Sequence, residues 1–206
     1  MDISKLRERY AKADLTKVSV DSNPIRQFRR WFDEAIKAEL LEPNAMILTT
    51  VDTNSQPTQR TVLLKYFDEK GFVFFTNYHS QKAQHLEHNN AVSMLFPWYQ
   101  LSRQVIISGR AEKISNMESA RYFLSRPFGS QLGAWISHQS KVISSRNLLE
   151  IKMAEMKRKF SEGKVPVPDF WGGYRVAAHR IEFIKDHKKN QARIAYQKSV
   201  GNWQIE

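Results

Sequence analysis

An α+β fold, an antiparallel barrel with helices packed outside it, is what this 206-residue sequence predicts. Three observations carry that expectation. Apolar segments of strand length follow one another in quick succession from Ala45 to Lys113. The connections among the first three are short and rich in Asp, Asn, Pro and Gly, as an antiparallel meander requires. Finally, a few segments of helical spacing flank these strands, with no internal repeat and no dividing linker.

Taken in order, residues 1–22 are polar and read as a flexible N-terminal segment, leaving 23–206 as a single domain. Asn23-Pro24 is a helix start, Asn as cap and Pro at the first helical position. Ile25, Phe28, Trp31, Phe32, Ala35, Ile36 and Leu40 then recur at helical spacing, and the helix ends before Pro43. Strands are expected over Ala45–Val51, Gln59–Tyr66 and Phe72–Asn77, the last two joined by a tight turn over Asp68–Gly71. Ser80 caps a short helix that carries Lys82 in its first turn. Strands follow over Ala91–Pro97 and Gln104–Lys113, then a helix over Asn116–Arg126 that Pro127 stops. A longer helix, Ser144–Glu162, places Leu148, Leu149, Met153, Met156 and Phe160 on one side. The run PVPDFWGG is an irregular connector, and Tyr174–Ile184, Ile194–Lys198 and Trp203–Ile205 are closing strands.

Composition narrows the function. There are no cysteines, which excludes disulfides, thiolate metal sites and cysteine nucleophiles and fits a reducing cytoplasm. MDISKLRERY has charges where a signal peptide needs an apolar core, and no apolar run reaches the roughly 20 residues of a membrane span. A soluble, cytoplasmic protein without a membrane partner is expected. The net charge is +11, but the cations are spread along the chain. The densest group, Lys185 to Arg193, contains an acid and lacks aromatics for stacking bases, which argues against nucleic acid as the main partner. Small phosphorylated ligands suit such cations better.

Arg60 and Lys65 are five apart on one predicted strand and should point to opposite faces unless a bulge intervenes. Because an unpaired buried charge is costly, two such cations suggest two separate anionic groups; a solvated strand edge is the plainer alternative. Lys82, beside the amides of a helix start, suits an anion. Tyr122 and Arg126, four apart on a helix, with Ser130 after Pro127, form a candidate phosphate pocket or else a helix-end cluster facing water. Gln104, Gln139 and Ser140 could meet the edge of a flat heteroaromatic ring, or be ordinary polar residues of turns and strand edges. His85 and His88 read as solvated helix residues, with no third ligand for a metal. Gly172-Gly173 belongs to no dinucleotide fingerprint, and neither a phosphate-binding P-loop nor a nucleophile elbow is present.

The segments RTVLLK (Arg60–Lys65), FFTN (Phe74–Asn77), SQKA (Ser80–Ala83), LFPW (Leu95–Trp98), RQV (Arg103–Val105), YFLSRP (Tyr122–Pro127), SQLGAW (Ser130–Trp135), HQS (His138–Ser140) and FWGGYRV (Phe170–Val176) run in order along the chain. Together they resemble the pyridoxine (pyridoxamine) 5′-phosphate oxidase family over nearly its whole length. The resemblance implies an antiparallel, Greek-key-like FMN-binding split β-barrel, a homodimer with FMN at the subunit interface. It implies flavin contacts at Arg60, Thr61, Val62, Leu63, Leu64, Lys65, Phe75, Thr76, Gln81, Lys82, Gln104, Gln139, Ser140, Ile184 and Arg193. Lys65, Tyr122, Arg126 and Ser130 correspond to the grip on the substrate phosphate, and Arg7 to Tyr10 to a segment that closes over the substrate. The implied reaction converts pyridoxine 5′-phosphate or pyridoxamine 5′-phosphate to pyridoxal 5′-phosphate. Hydride passes from C4′ to flavin N5, and O2 is the final acceptor, giving hydrogen peroxide. No residue is assigned as a general base.

Three positions depart from the family pattern. Gln81 stands where a second Arg is usual, Ile184 replaces a Trp, and an Arg-x-His pair over the substrate ring gives way to Lys189-Asn190-Gln191-Ala192, with Lys189 and Gln191 as the substrate-side candidates. The altered lid leaves open a low-activity or inactive homologue that binds FMN or pyridoxal 5′-phosphate. A same-fold flavin oxidase with another substrate, such as a phenazine precursor, is the other alternative; an intact phosphate pocket argues against it.

Overall fold

Asn23 starts the first helix by accepting, through its side-chain oxygen, from the backbone N–H of Ile25 at 2.8 Å and of Arg26 at 3.3 Å. The computed structural model describes residues 15–136, 146–160, 165–186 and 191–206, with backbone alone for 146–149. Helix α1 (Pro24–Lys37) buries Ile25, Phe28, Trp31 and Ala35. Phe28 meets Phe67, Phe72 and Phe96 edge-on with centroids 4.9–5.0 Å apart, so this helix plugs the apolar interior of the sheet. Part of the N-terminal segment expected to be flexible lies against the same core: Leu15 and Val20 pack on it, and the Tyr196 hydroxyl donates to the Asp21 carbonyl at 2.5 Å.

Nine strands make one antiparallel sheet among the described residues: β1 (Ala45–Val51), β2 (Pro57–Leu63), β3 (Tyr66–Asp68), β4 (Gly71–Asn77), β5 (Ala91–Trp98), β6 (Arg103–Lys113), β7 (Trp171–Asp186), β8 (Gln191–Ser199) and β9 (Asn202–Ile205). Their order is β2-β1-β5-β6-β7-β4-β3, with β8 beside β7 and β9 beside β8. The two ends, β2 and β3, are consecutive in the chain. Only Leu64 and Lys65 separate them, so the sheet must curl. Leu64 N–H donates to Asn44 at the β1 end, whereas Lys65 N–H donates to Val73 in β4, both at 2.9 Å. The strand expected over Gln59–Tyr66 is therefore two strands, because the backbone changes partner between these two residues.

The hairpin joining β3 and β4 turns on Gly71, at φ +137°, where an added Cβ would sit 2.1 Å from the Val176 carbonyl oxygen. Gly71→Ala is expected to cost about 1–3 kcal/mol or more from backbone strain alone, read as a lower urea midpoint. An unchanged midpoint would mean that the turn is built differently.

The helices α2 (Gln81–His88), α3 (Asn116–Ser125), α4 (Phe128–Ile136) and α5 (Arg146–Lys159) complete the architecture. Pro127 ends α3 as expected but also begins α4, a helix absent from the sequence expectation. Its carbonyl accepts from the N–H groups of Ser130 and Gln131 at 2.8 and 3.0 Å. Proline fits a helix start because it lacks the N–H that would go unpaired there. It also forces Arg126 out of the helical region, to φ −76° and ψ 149°. Strand β7 begins at Trp171, inside the expected connector, because Gly172 and Gly173 pair with Thr76 and Phe75. A second apolar cluster of Phe123, Leu132, Ala134, Val165 and Trp171 seats α3 and α4 against the sheet. Among the described residues, no helix is long and apolar enough to cross a membrane.

Candidate functional site

Where β2 hands over to β3, the curl opens a cavity of about 540 Å³. It is lined by Gln59, Arg60, Thr61, Val62, Leu63 and Lys65, by Phe75 and Thr76 of β4, by Gln81 and Lys82 of α2, and by Arg126. Four of these are cations and none is an acid. Arg60 and Lys65 thus face one cavity, not opposite faces. The change of partner at Leu64 supplies the irregularity that breaks strand alternation, and Leu64 itself is turned into the core.

The cations fall into two pairs. Burial, and then the Arg60 charge, push the Lys82 ammonium down to about 8. Its Nζ donates to Thr76 Oγ1 at 3.1 Å. Burial, and then Arg126, lower Lys65, with Glu42 opposing. Burial also lowers Arg60, and lowers Arg126 against a small opposing effect of Tyr122. Lys82 is buried, Arg60 and Arg126 are half-buried and Lys65 is exposed; like charges held this close and partly desolvated are costly until an anion joins them. The Nη1 atom of Arg126 is buried and makes no hydrogen bond, which fits a missing oxygen acceptor.

One wall is aromatic. Phe75 stacks on Tyr122 at 4.1 Å and on Trp171 at 5.0 Å, and the Arg126 guanidinium lies 4.9 Å from the Trp171 ring centroid. Trp171 and Gln59 were not foreseen as part of this site. The sequence places Trp171 in a connector, whereas the strand pairing of Gly172 and Gly173 brings its ring against Phe75. Ser80 occupies the N-cap position of α2, but its side chain makes no capping bond.

Other expected site residues lie elsewhere. Gln104, Ile184 and Arg193 form one lateral row across β6, β7 and β8, outside the cavity lining. Arg193 is tied to Glu182, its Nε donating to Oε2 at 2.5 Å. Gln191 donates to Asp186 at 2.8 Å. Ser130 is exposed in the first turn of α4. Arg7, Tyr10, Gln139, Ser140 and Lys189 lie outside the described residues. Among the described residues no group of His, Asp and Glu could hold a metal ion. His85, expected to be solvated, is instead buried and bonded to Thr50, whereas His88 is exposed as expected.

Comparison with known proteins gives these features a family. A family model described as pyridoxamine 5′-phosphate oxidase matches residues 32–160. The chain is 58% identical over 183 residues to a pyridoxine/pyridoxamine 5′-phosphate oxidase of Crocosphaera subtropica, covering 89% of this chain and 86% of that one. It is 50% identical to the protein of that name from Dichelobacter nodosus, covering 100% and 98%. Among solved structures it is similar to PhzG of Burkholderia lata in complex with tetrahydrophenazine-1-carboxylic acid, with TM-score 0.87 and 26% identity over 94% and 96% of the two chains. A pyridoxamine 5′-phosphate oxidase-related, FMN-binding protein of Nostoc punctiforme shares the fold at TM-score 0.72 and 16% identity, over 87% and 95%. With an α+β split barrel, a full-length match at half identity or better, and the cation-lined cavity at the strand handover, this chain belongs to the pyridoxine/pyridoxamine 5′-phosphate oxidase family.

Proposed function

We propose that the protein is an FMN-dependent oxidase of pyridoxine 5′-phosphate or pyridoxamine 5′-phosphate, working as a homodimer in a reducing cytoplasm and releasing pyridoxal 5′-phosphate and hydrogen peroxide, with water consumed and ammonia released when the substrate is the amine. The observation that carries this reading is the sorting of four cations into two pairs within one acid-free cavity. Arg60 and Lys82 would hold the flavin phosphate, with Thr76 orienting the ammonium. Lys65 and Arg126 would hold the substrate phosphate. The orphaned Arg126 Nη1 is the donor that such a phosphate would satisfy, and a guanidinium can grip two of its oxygens. Phe75, backed by Tyr122 and Trp171, supplies a rigid apolar wall for a flat ring and excludes water.

When bound, FMN would supply the two-electron chemistry that oxidises the substrate at C4′, with O2 as the final electron acceptor. The chain's own contribution is to fix both phosphates and so hold the two rings in register. The Gln104–Ile184–Arg193 row lies away from this cavity. In a homodimer that row would complete the partner's site, which supports the two-copy reading. The PhzG-like fold keeps a different ring substrate in view, but an unphosphorylated ring has no use for the Lys65–Arg126 pair.

Purified protein is expected to be yellow and to release hydrogen peroxide on addition of pyridoxine 5′-phosphate. A colourless protein that FMN cannot reconstitute would end the flavin reading. A yellow one without peroxide would leave a binding protein or another substrate, the altered lid from Lys189 to Ala192 being the reason.

A further inference from the structure

The buried histidine of α2 is bonded into the cation cradle. His85 is 8% exposed, and its Nδ1 lies 3.1 Å from Oγ1 of Thr50, a fully buried residue of β1. The same Thr50 oxygen accepts from Nη1 of Arg60 at 2.7 Å. A guanidinium offers no acceptor, and the Thr50 hydroxyl makes no other hydrogen bond among the described residues. Among the described residues His85 Nδ1 is the one acceptor within reach of its proton, so the arrangement that leaves no buried group unpaired has the hydroxyl donate to Nδ1. In that arrangement the chain runs one way: Arg60 donates to Thr50, and Thr50 donates to His85.

The rest of Arg60 shows what this chain is for. Nη1 also donates to the carbonyls of Leu48 at 3.2 Å and Thr58 at 3.0 Å, and Nη2 donates to Thr58 Oγ1 at 2.5 Å. The Nη1–Nη2 edge is thus turned to the barrel wall. What remains is the Nε–Nη2 edge, a fork whose spacing matches two phosphate oxygens. Lys82 sits one turn before His85 on the same helix face. The helix that delivers Lys82 to the cavity therefore also locks Arg60, and the two halves of the cradle, on α2 and β2, are held in mutual register.

We propose that His85 and Thr50 are positioning residues for a phosphate monoester: acting through Arg60, they hold its fork toward the cavity and tie it to α2. This rests on the FMN reading above, and the test separates the two. FMN is titrated into ligand-free full-length protein and followed by flavin fluorescence, with melting temperature measured in parallel. Thr50→Val and His85→Phe are expected to weaken FMN about tenfold, the scale of a lost hydrogen bond to a charged group. Thr50→Ser restores the hydroxyl, and His85→Asn places an acceptor oxygen where Nδ1 stood; both should stay within about threefold of wild type, the scatter of uncoupled changes. In an Arg60→Gln background, Thr50→Val should add nothing, because its effect passes through Arg60. Equal affinity of wild type and Thr50→Val, or an undiminished Thr50→Val effect without Arg60, overturns the inference while leaving the FMN reading standing. A wild type that binds no FMN removes both. Should Thr50→Val not fold, the His85→Phe and His85→Asn pair makes the same comparison.

Discussion

Arg126→Ala is expected to raise the KM for pyridoxine 5′-phosphate by about ten- to a hundredfold, a charge-assisted hydrogen bond being worth about 1.5–3 kcal/mol. The kcat should change little, because phosphate contacts far from the reacting carbon bind ground and transition states alike. Flavin should remain bound, since Arg60 and Lys82 form the other pair. Two structural consequences accompany the change. The guanidinium leaves the face of Trp171, 4.9 Å away, which removes a favourable contact. Against that, Lys65 loses a like charge that lowers it, and a buried Nη1 without a partner disappears. The ligand-free variant should therefore melt close to wild type. Arg126→Lys keeps the charge but not the fork and should recover only part of the affinity. Steady-state kinetics on the three proteins decides it, and an unchanged KM in Arg126→Ala would put the phosphate elsewhere.

That Arg126 reaches the cavity was partly legible in the sequence. Its pairing with Tyr122 followed from helical spacing, yet Arg126 is not helical at all: Pro127 extends it, and the guanidinium reaches across Trp171. Local signals fared best. Asn23-Pro24 starts α1 as expected, because capping chemistry lies within a few residues, and α3 begins at Asn116 as expected. Strand β1 follows its alternation of Met46, Leu48 and Thr50 toward the interior. What failed was set by distant partners. Nothing within Arg60–Lys65 reveals that Leu64 pairs toward β1 and Lys65 toward β4, and that switch alone brings both cations into one cavity. His85 looked solvated because its partner, Thr50, lies 35 residues away. Gln104, Ile184 and Arg193 illustrate the complementary limit. Their strand register is clear and sets them in one row, but that row lies outside the cavity, and the ligand role proposed for it rests on the proposed homodimer.

Lys82→Met should separate stability from function more sharply than any other single change in this cavity. The ammonium is buried and beside Arg60, so its folded-state value of about 8 lies below the ordinary lysine value of about 10.4. Below pH 8 the folded protein bears the full cost of a charge that the unfolded chain holds freely. Between about 8 and 10 the unfolded chain binds more protons than the folded one, so stability rises with pH. Above about 10 the slope reverses, because burial raises Tyr66, Tyr174 and Tyr196 and the unfolded chain then loses phenolic protons first. Lys82→Met should accordingly make the ligand-free protein more stable than wild type at pH 7, and the gap should narrow as pH is raised to 9.5. The same variant should bind FMN about ten- to a hundredfold more weakly, losing a charge-assisted contact to phosphate. Urea unfolding of both ligand-free proteins at pH 7.0, 8.5 and 9.5, with FMN titrations alongside, gives both readouts. A gap that stays constant with pH would mean that Lys82 is not held down by burial and Arg60. FMN affinity unchanged in Lys82→Met would remove it from the flavin phosphate, and with it the assignment of the Arg60–Lys82 end of the cavity.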